Sequence, residues 1–509
     1  MLQQLKRLGT ETAIYGISTI LGRFLNFLLV PFYTNVLQPG EYGIVTYVYS
    51  LIAFANVLYS YGMETAYFKY SSTLEIGTRG QNFSTPFLSL VWTSILFSLF
   101  IALITSPIAE VIDIPFQHGS IILYVAGILA FDTIAIIPFA VLRMEHKAKL
   151  FAMIKVFNIL INVVLNIWLL VFLKTGIEGI FISGLTASAV TLMTLFPVII
   201  RRFTSSLDFR LLKALLKFGL PYIPAGLATM AVQVIDRPIL RALTDDATVG
   251  IYQANYRLGI FMMLIVSMYD YAWKPFYFSI AKEPNAKEIF ARVLTYLLFF
   301  MSAIFLVLTF FIEDIVKISF FGRHLIHPSY WDGLSIVPIV LLGYLFLGIS
   351  TNLSAGIYLE KKTYYTPPIS FLGALVNVAA NYLLIPSMGM FGAAWATLLA
   401  YVVMAVALYV VVQKVYPVKY EFGRFFKIAS AVSVVMVVYY YVPFGDLGVS
   451  DILIVGWKLA LLALFLLLMY LMKFFEGREL STFKRLFQAR KTDEIPVLKR
   501  DEMLDERSV

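Results

Sequence analysis

Long apolar runs, each closed by a short cluster of charges, prolines or glycines, recur from one end of this chain to the other. Most hold about 20 residues, enough for a helix to cross the roughly 30 Å hydrocarbon core of a bilayer. Fourteen spans are expected, at 12–36, 43–68, 83–107, 117–142, 151–173, 177–200, 216–243, 247–273, 288–312, 333–358, 364–386, 389–413, 424–443 and 451–473. The connections are short, and Glu313 to Asp332 is too small for a folded domain. The pattern predicts an all-α polytopic membrane protein.

One span breaks the rule. Residues 216–243 run apolar through Met230 and Val234, then meet Asp236–Arg237 and Pro238. A charge deep in a membrane helix costs about 2.5–3.5 kcal/mol on insertion scales, so it usually faces a bundle interior or a wet cavity. Two readings stand: an ion pair that fixes packing, or the polar lining of a translocation path.

Composition agrees with the pattern. Of 509 residues, 60% are hydrophobic and 14% charged, and the mean hydropathy is +0.82. A soluble surface needs more charge than that. The formal charge of +9 invites a nucleic-acid partner, but its distribution excludes one. With the N-terminus inside, 31 of the 40 Lys and Arg residues fall in cytoplasmic segments, and Lys174, Arg241, Lys317 and Arg323 fall opposite. Arg23, Lys155, Arg237, Arg257 and Lys458 lie within spans. The charge is a topology signal, and both termini are expected in the cytoplasm. The tail from Phe474 is polar and charge-balanced, with a short juxtamembrane helix expected at its start. No cleavable signal is expected, because the first apolar run is too long and lacks a small-residue cleavage site.

An internal repeat underlies the spans. A shift of 207 lays Tyr15 on Tyr222, Pro31 on Pro238, Gly43-Ile44 on Gly250-Ile251 and Tyr49 on Tyr256. A shift of 215 lays Asn162 and Asn166 on Asn377 and Asn381. A six-span unit returns the chain to the same side, so the halves are parallel and related by an axis along the membrane normal. The expected organisation is a six-helix lobe at 1–205, a second at 206–416, two further helices at 417–474 and a cytoplasmic tail at 475–509. Two such lobes facing a cleft make a transporter architecture.

The cleft candidates follow from the repeat. Arg23 and Asn26 lie in the first span, Gln233, Asp236 and Arg237 in the seventh, and Arg257 in the eighth. Arginine offers a planar fork of donors suited to phosphate. Its alternative is a structural salt bridge to Asp236, Glu64 or Asp270. Asn158, Asn162 and Asn166 form an i, i+4, i+8 stripe, matched by Asn377 and Asn381. These amides suit interhelical hydrogen bonds or sugar hydroxyls. Asp132, Asp236 and Asp270 are the ion-coupling candidates, with H+ or Na+ as the coupling ion and no other cofactor expected. Lys155 is a headgroup or coupling candidate.

Enzyme chemistry finds little footing. Cysteine is absent, and His118, His146, His324 and His327 are scattered, so no metal site is expected. There is no Walker loop and no aspartate pair placed for a sugar-nucleotide metal. A cation-coupled exporter of small molecules and a membrane-embedded glycosyl- or acyltransferase remain as alternatives.

Gly22-Arg23 followed by Leu37-Gln-Pro-Gly-Glu-Tyr-Gly43 resembles the opening of bacterial polysaccharide flippases of the Wzx type. So do Ile235-Asp-Arg237 with Val249-Gly-Ile-Tyr252, and Asn377-Val-Ala-Ala-Asn-Tyr-Leu-Leu-Ile-Pro386 with Gly389-Met-Phe-Gly-Ala-Ala-Trp-Ala-Thr397. The resemblance covers residues 1–470. It implies the fold of the multidrug extruder and lipid flippase superfamily: two six-helix lobes around a V-shaped cleft, plus two helices. The implied substrate is an undecaprenyl-pyrophosphate-linked oligosaccharide, moved to the periplasmic leaflet of the bacterial inner membrane. Polysaccharide polymerase and export proteins are the implied partners, beside membrane lipids. Carried over residue by residue, Arg23, Arg237 and Arg257 become pyrophosphate or acidic-sugar contacts, with Arg257 the weaker match.

Overall fold

The computed structural model describes residues 2–320, 322–442 and 450–476, with the side chains of all but 2–15, 17–19, 116 and 320. The first lobe runs α1 (Leu2–Val36), α2 (Pro39–Ser60), α3 (Met63–Thr73), α4 (Arg79–Leu103), α5 (Thr105–Val111), α6 (Ser120–Met144), α7 (Ala148–Ile167) and α8 (Glu178–Arg202). The second begins with α9 (Phe209–Gly219), α10 (Tyr222–Val234), α11 (Asp236–Leu243), α12 (Asp246–Tyr256) and α13 (Ile260–Ile280). It continues with α14 (Ala286–Lys317), α15 (Val337–Leu359), α16 (Thr366–Met388) and α17 (Met390–Val415). Two more helices follow, α18 (Phe422–Tyr441) and α19 (Asp451–Leu471). A two-residue hairpin pairs Ser319–Phe320 with Arg323–His324 after α14.

Among the described residues, twelve helices are long and apolar enough to cross a membrane. The number is thirteen when α9 and α10, bent by 41°, count as one broken span. Every expected span falls on one of these or on α1. The helix expected beyond Phe474 falls mainly on residues outside those described.

Span 216–243 is the correction. It is not one helix but three, broken around Pro221 and at Ile235. Proline lacks the N–H that a helix interior needs and its ring clashes with the preceding turn. At the second break the Asp236 carboxylate accepts from the Arg237 backbone N–H at 3.1 Å, and Pro238 lies just beyond it. Span 43–68 breaks too, where Tyr61 (φ 31°) and Gly62 (φ 69°) turn left-handed between α2 and α3. Gly62 is needed there twice over, since a Cβ would also lie 2.3 Å from the Gly219 carbonyl oxygen.

Contacts divide the chain into two compact units. The first holds residues 1–297 and 308–420, hence both lobes. One of its apolar clusters joins Tyr61 and Met63 to Phe83 and Leu90 of α4, Ile137 of α6, and Leu211 and Leu215 of α9. The second unit holds 298–307 of α14 with the described residues from Glu421 onward. There Phe299 stacks on Phe465 and Phe474, and Arg424 donates to the Phe474 carbonyl at 2.7 and 3.0 Å.

The repeat is visible in three dimensions. Asn166 Nδ2 donates to the Asn162 carbonyl and side-chain oxygens at 2.8 and 3.0 Å, and Asn381 Nδ2 does the same to Asn377 at 2.8 and 2.6 Å. Helices α2 and α12 pack directly on each other. A Cβ on Gly43 would lie 1.7 Å from the Asp246 carbonyl oxygen, and one on Gly250 would lie 2.0 Å from that of Pro39. Since the shift of 207 exchanges Pro39 with Asp246 and Gly43 with Gly250, this is one contact made twice about the two-fold.

Candidate functional site

The seventh-span break places Asp236 and Arg237 side by side in the interior, 1% and 5% exposed. Arg237 Nη1 lies 2.6 Å from Asp236 Oδ1, and its Nε donates to Gln253 Oε1 at 3.2 Å. Nη1 also donates to the Gln233 carbonyl, and the guanidinium sits 4.4 Å from the Tyr256 ring centre. Tyr252 Oη donates to Asp236 Oδ2 at 2.5 Å. Asp236 is thereby enclosed, and Arg237 is largely committed to α11 and α12. Of the two sequence readings of this pair, packing describes Asp236 fully.

Two cavities meet at Arg237 and Arg257. The smaller, ≈520 Å³, is lined by Arg23, Gln233, Arg237, Arg257 and Asp270, with Tyr256, Tyr344 and Tyr401. The larger, ≈1010 Å³, is lined mainly by the first lobe, at Asn26, Tyr49, Asp132, Lys155, Asn162 and Glu64 among others, and by Gln253 with the two arginines from the second. Basic side chains outnumber acidic ones in both: three to one in the smaller, and Arg143, Lys155, Arg237 and Arg257 against Glu64 and Asp132 in the larger. The acids are partly spoken for. Glu64 pairs with Arg143, and Asp270 pairs with Lys274 one turn away at 2.7 Å. Arg23 Nη1 donates to the neutral Ser267 Oγ at 2.5 Å. Arg257 is exposed and has no hydrogen-bond or ion-pair partner among the described residues.

Several expected site residues stand elsewhere. Asn166, Asn377 and Asn381 are fully buried and line neither cavity. Asn166 accepts from Tyr33 Oη at 2.9 Å and Asn377 donates to the Val232 carbonyl at 3.3 Å. These amides pin α1 to α7 and α10 to α16. An apolar surround rewards such bonds, since an unpaired amide in hydrocarbon is costly. Asn158 reaches the larger cavity but donates to Thr191 Oγ1 at 2.7 Å on α8. Only Asn162 of the paired stripe keeps a cavity position among the substrate candidates.

At the end of the lobes that carries the α1–α2 and α11–α12 turns, polar bridges join the two halves. Arg241 donates to the Ile112 and Asp113 carbonyls at 2.7 Å each and to Asp246 Oδ1 at 2.5 Å, with its guanidinium 4.4 Å from the Tyr47 ring. Asn35 Nδ2 donates to the His324 carbonyl at 2.9 Å, and Tyr330 Oη to that of Leu37 at 3.0 Å. At the other end of α6, Glu145 pairs with Lys147 at 2.6 Å and with Arg202. Partial burial alone would raise its carboxyl, but these hydrogen bonds and charges hold it below the ordinary value.

Tyr49, Arg241, Gln253 and Ser267 were not legible as site residues in the sequence. Tyr49 carried a signal in its repeat match to Tyr256, but one tyrosine among 31 gives composition no purchase.

Solved structures share this fold. Lipid II flippase MurJ in an inward closed conformation matches with a TM-score of 0.72 and 15% identity, over 95% of this chain and 100% of that one. An inward-facing multidrug resistance MATE family transporter of the MOP superfamily matches with a TM-score of 0.61 and 14% identity, over 77% of this chain and 94% of that one. An outward-facing one matches at 0.55 and 14%, over 80% and 94%. A search of the curated proteins finds no match. Two parallel lobes around a polar, cation-rich interior therefore define a polytopic membrane protein with the MATE-like fold. Residues 34–324, more than half of the chain, match the family model described as polysaccharide biosynthesis protein, and the chain belongs to that family.

Proposed function

We propose that this protein is a flippase that carries a polyprenyl-pyrophosphate-linked oligosaccharide across the membrane by alternating access. The observation that carries the reading is Arg257, which stands in both cavities without a counter-ion among the described residues, beside Arg23 bonded to a neutral hydroxyl. An uncompensated cation inside a membrane is expensive unless water or an anion meets it. A pyrophosphate supplies that anion, and the arginine fork matches its oxygens in pairs. Membership of a polysaccharide biosynthesis family supports a glycan-bearing lipid. A cation-exporting relative would want the opposite charge in its cavity.

The reading carries an orientation and an energy source. Both termini lie in the cytoplasm, the membrane is the bacterial inner membrane, and the glycan leaves towards the periplasm and its polymerase. In this reading an H+ or Na+ gradient drives the cycle, with Asp132 in the larger cavity and Asp270 in the smaller as the acids that would sense it. Changing Arg257 to Ala tests the core of this reading. Surface glycan is expected to fall at unchanged membrane protein level, and Lys to restore little, because a point charge lacks the paired donors. Normal glycan display with Ala at 257 would refute the reading.

A further inference from the structure

Resting on that reading, we propose that the larger cavity holds a carbohydrate subsite in which a pyranose ring stacks on Tyr49 between Asp132 and Lys155. Tyr49 is held flat from behind. Its ring stacks on Phe181, which is fully buried, with centroids 5.4 Å apart and planes 19° apart. Yet Tyr49 is 39% exposed and lines the cavity, so the stack leaves ring surface free. An aromatic face carries partial negative charge, and the C–H face of a pyranose carries partial positive charge. A rigid, one-sided aromatic wall is what such a ring needs.

The walls beside it are polar in the sense that sugar hydroxyls require. Asp132 faces Ser188 and lies within the field of both Lys155 and Tyr49. Lys155 Nζ rests 4.3 Å over the Phe139 ring, leaving its donors to the cavity that it lines. A hydroxyl can donate to the first and accept from the second. Gly184 lines the cavity beside this ring, where a Cβ would lie 3.3 Å from Ile128 Cδ1, 3.5 Å from Tyr49 Oη and 3.9 Å from Asn162 Nδ2. The distance to the phosphate end is bridged within the same space, because Arg257 lines this cavity too. One lipid-linked sugar can thus place its pyrophosphate at Arg257 and its glycan at Tyr49.

The test titrates purified protein with two probes, undecaprenyl pyrophosphate and the undecaprenyl-pyrophosphoryl oligosaccharide isolated from cells carrying this gene. Wild type is expected to bind the glycan-bearing lipid about tenfold more tightly. Tyr49→Leu should erase that preference while binding the bare lipid as wild type does, which also shows that it is folded. Tyr49→Phe should keep most of it, and Asp132→Ala should lose part. If wild type binds both lipids equally, or Tyr49→Leu keeps the preference, the subsite is refuted and the flippase reading stands. If neither lipid binds wild type, the flippase reading fails and the subsite with it.

Discussion

Cutting the buried pair at its acid gives the sharpest test of how the interior is held together. Asp236→Ala leaves Arg237 with its charge, in a site where it is 5% exposed and ringed by Tyr252, Tyr256 and Gln253. Removing one partner of a buried ion pair typically costs about 3–5 kcal/mol, because the other charge stays buried and unpaired. Tyr252 Oη also loses its acceptor, at a further cost of about 1–3 kcal/mol. The pair bridges α11 and α12, so the loss should appear as a melting temperature several degrees lower in detergent. Asp236→Asn with Arg237→Met should recover most of it, since the charge is gone and the amide oxygen still receives Tyr252. Scanning fluorimetry on the single and double variants decides the matter. An Asp236→Ala protein as stable as wild type would refute the packing role, and Arg237 would return to the set of free counter-charges.

Other consequences are as direct. Gly43→Ala places a methyl where the Asp246 carbonyl stands, and so should spread the lobes at that end. On this cysteine-free chain, Asn26→Cys in the larger cavity should then react faster with a thiol reagent added outside; an unchanged rate would count against the contact. Arg241→Gln, which removes the cation shared by Ile112, Asp113 and Asp246, should raise the same rate, and equal labelling would show that the bridge does not hold the lobes together. Glu145 has a lowered pKa, so its contribution is present above the unfolded value near 4.5 and is lost as pH falls through the lower folded value. Glu145→Gln should therefore melt below wild type at pH 7 and match it once pH drops below that folded value; a gap that persists in acid contradicts the assignment.

The architecture was largely legible because span length and charge placement are one-dimensional signals. A run of twenty apolar residues announces its own helix, and the offset repeat announced the two lobes. Breaks were harder: Pro238 stood in span 216–243, but nothing local says that the span divides into three helices or that the chain turns by 41° between the first two. The site was half legible. Arg23, Asn26, Gln233, Arg237 and Arg257 do meet at cavities, because a charge within an apolar span has few other places to go. The asparagines stayed ambiguous, since an amide stripe reads the same whether it faces a sugar or a neighbouring helix. Asn162 and Asn166 sit one turn apart and differ in that choice. The glycine contacts at 43 and 250 were visible as repeat matches, yet only the fold shows that they touch.

The central claim is that free arginines in the interior bind a pyrophosphate. Titrating undecaprenyl pyrophosphate, undecaprenyl phosphate and undecaprenol into purified wild type and Arg257→Ala measures it most directly. Losing one charge-assisted contact of about 1.5–3 kcal/mol should weaken the pyrophosphate about 10–100-fold and leave undecaprenol unchanged. Wild type should bind the pyrophosphate most tightly, the phosphate less so and the alcohol least. Equal affinity for all three lipids, or an Arg257→Ala protein that binds the pyrophosphate as wild type does, would contradict it.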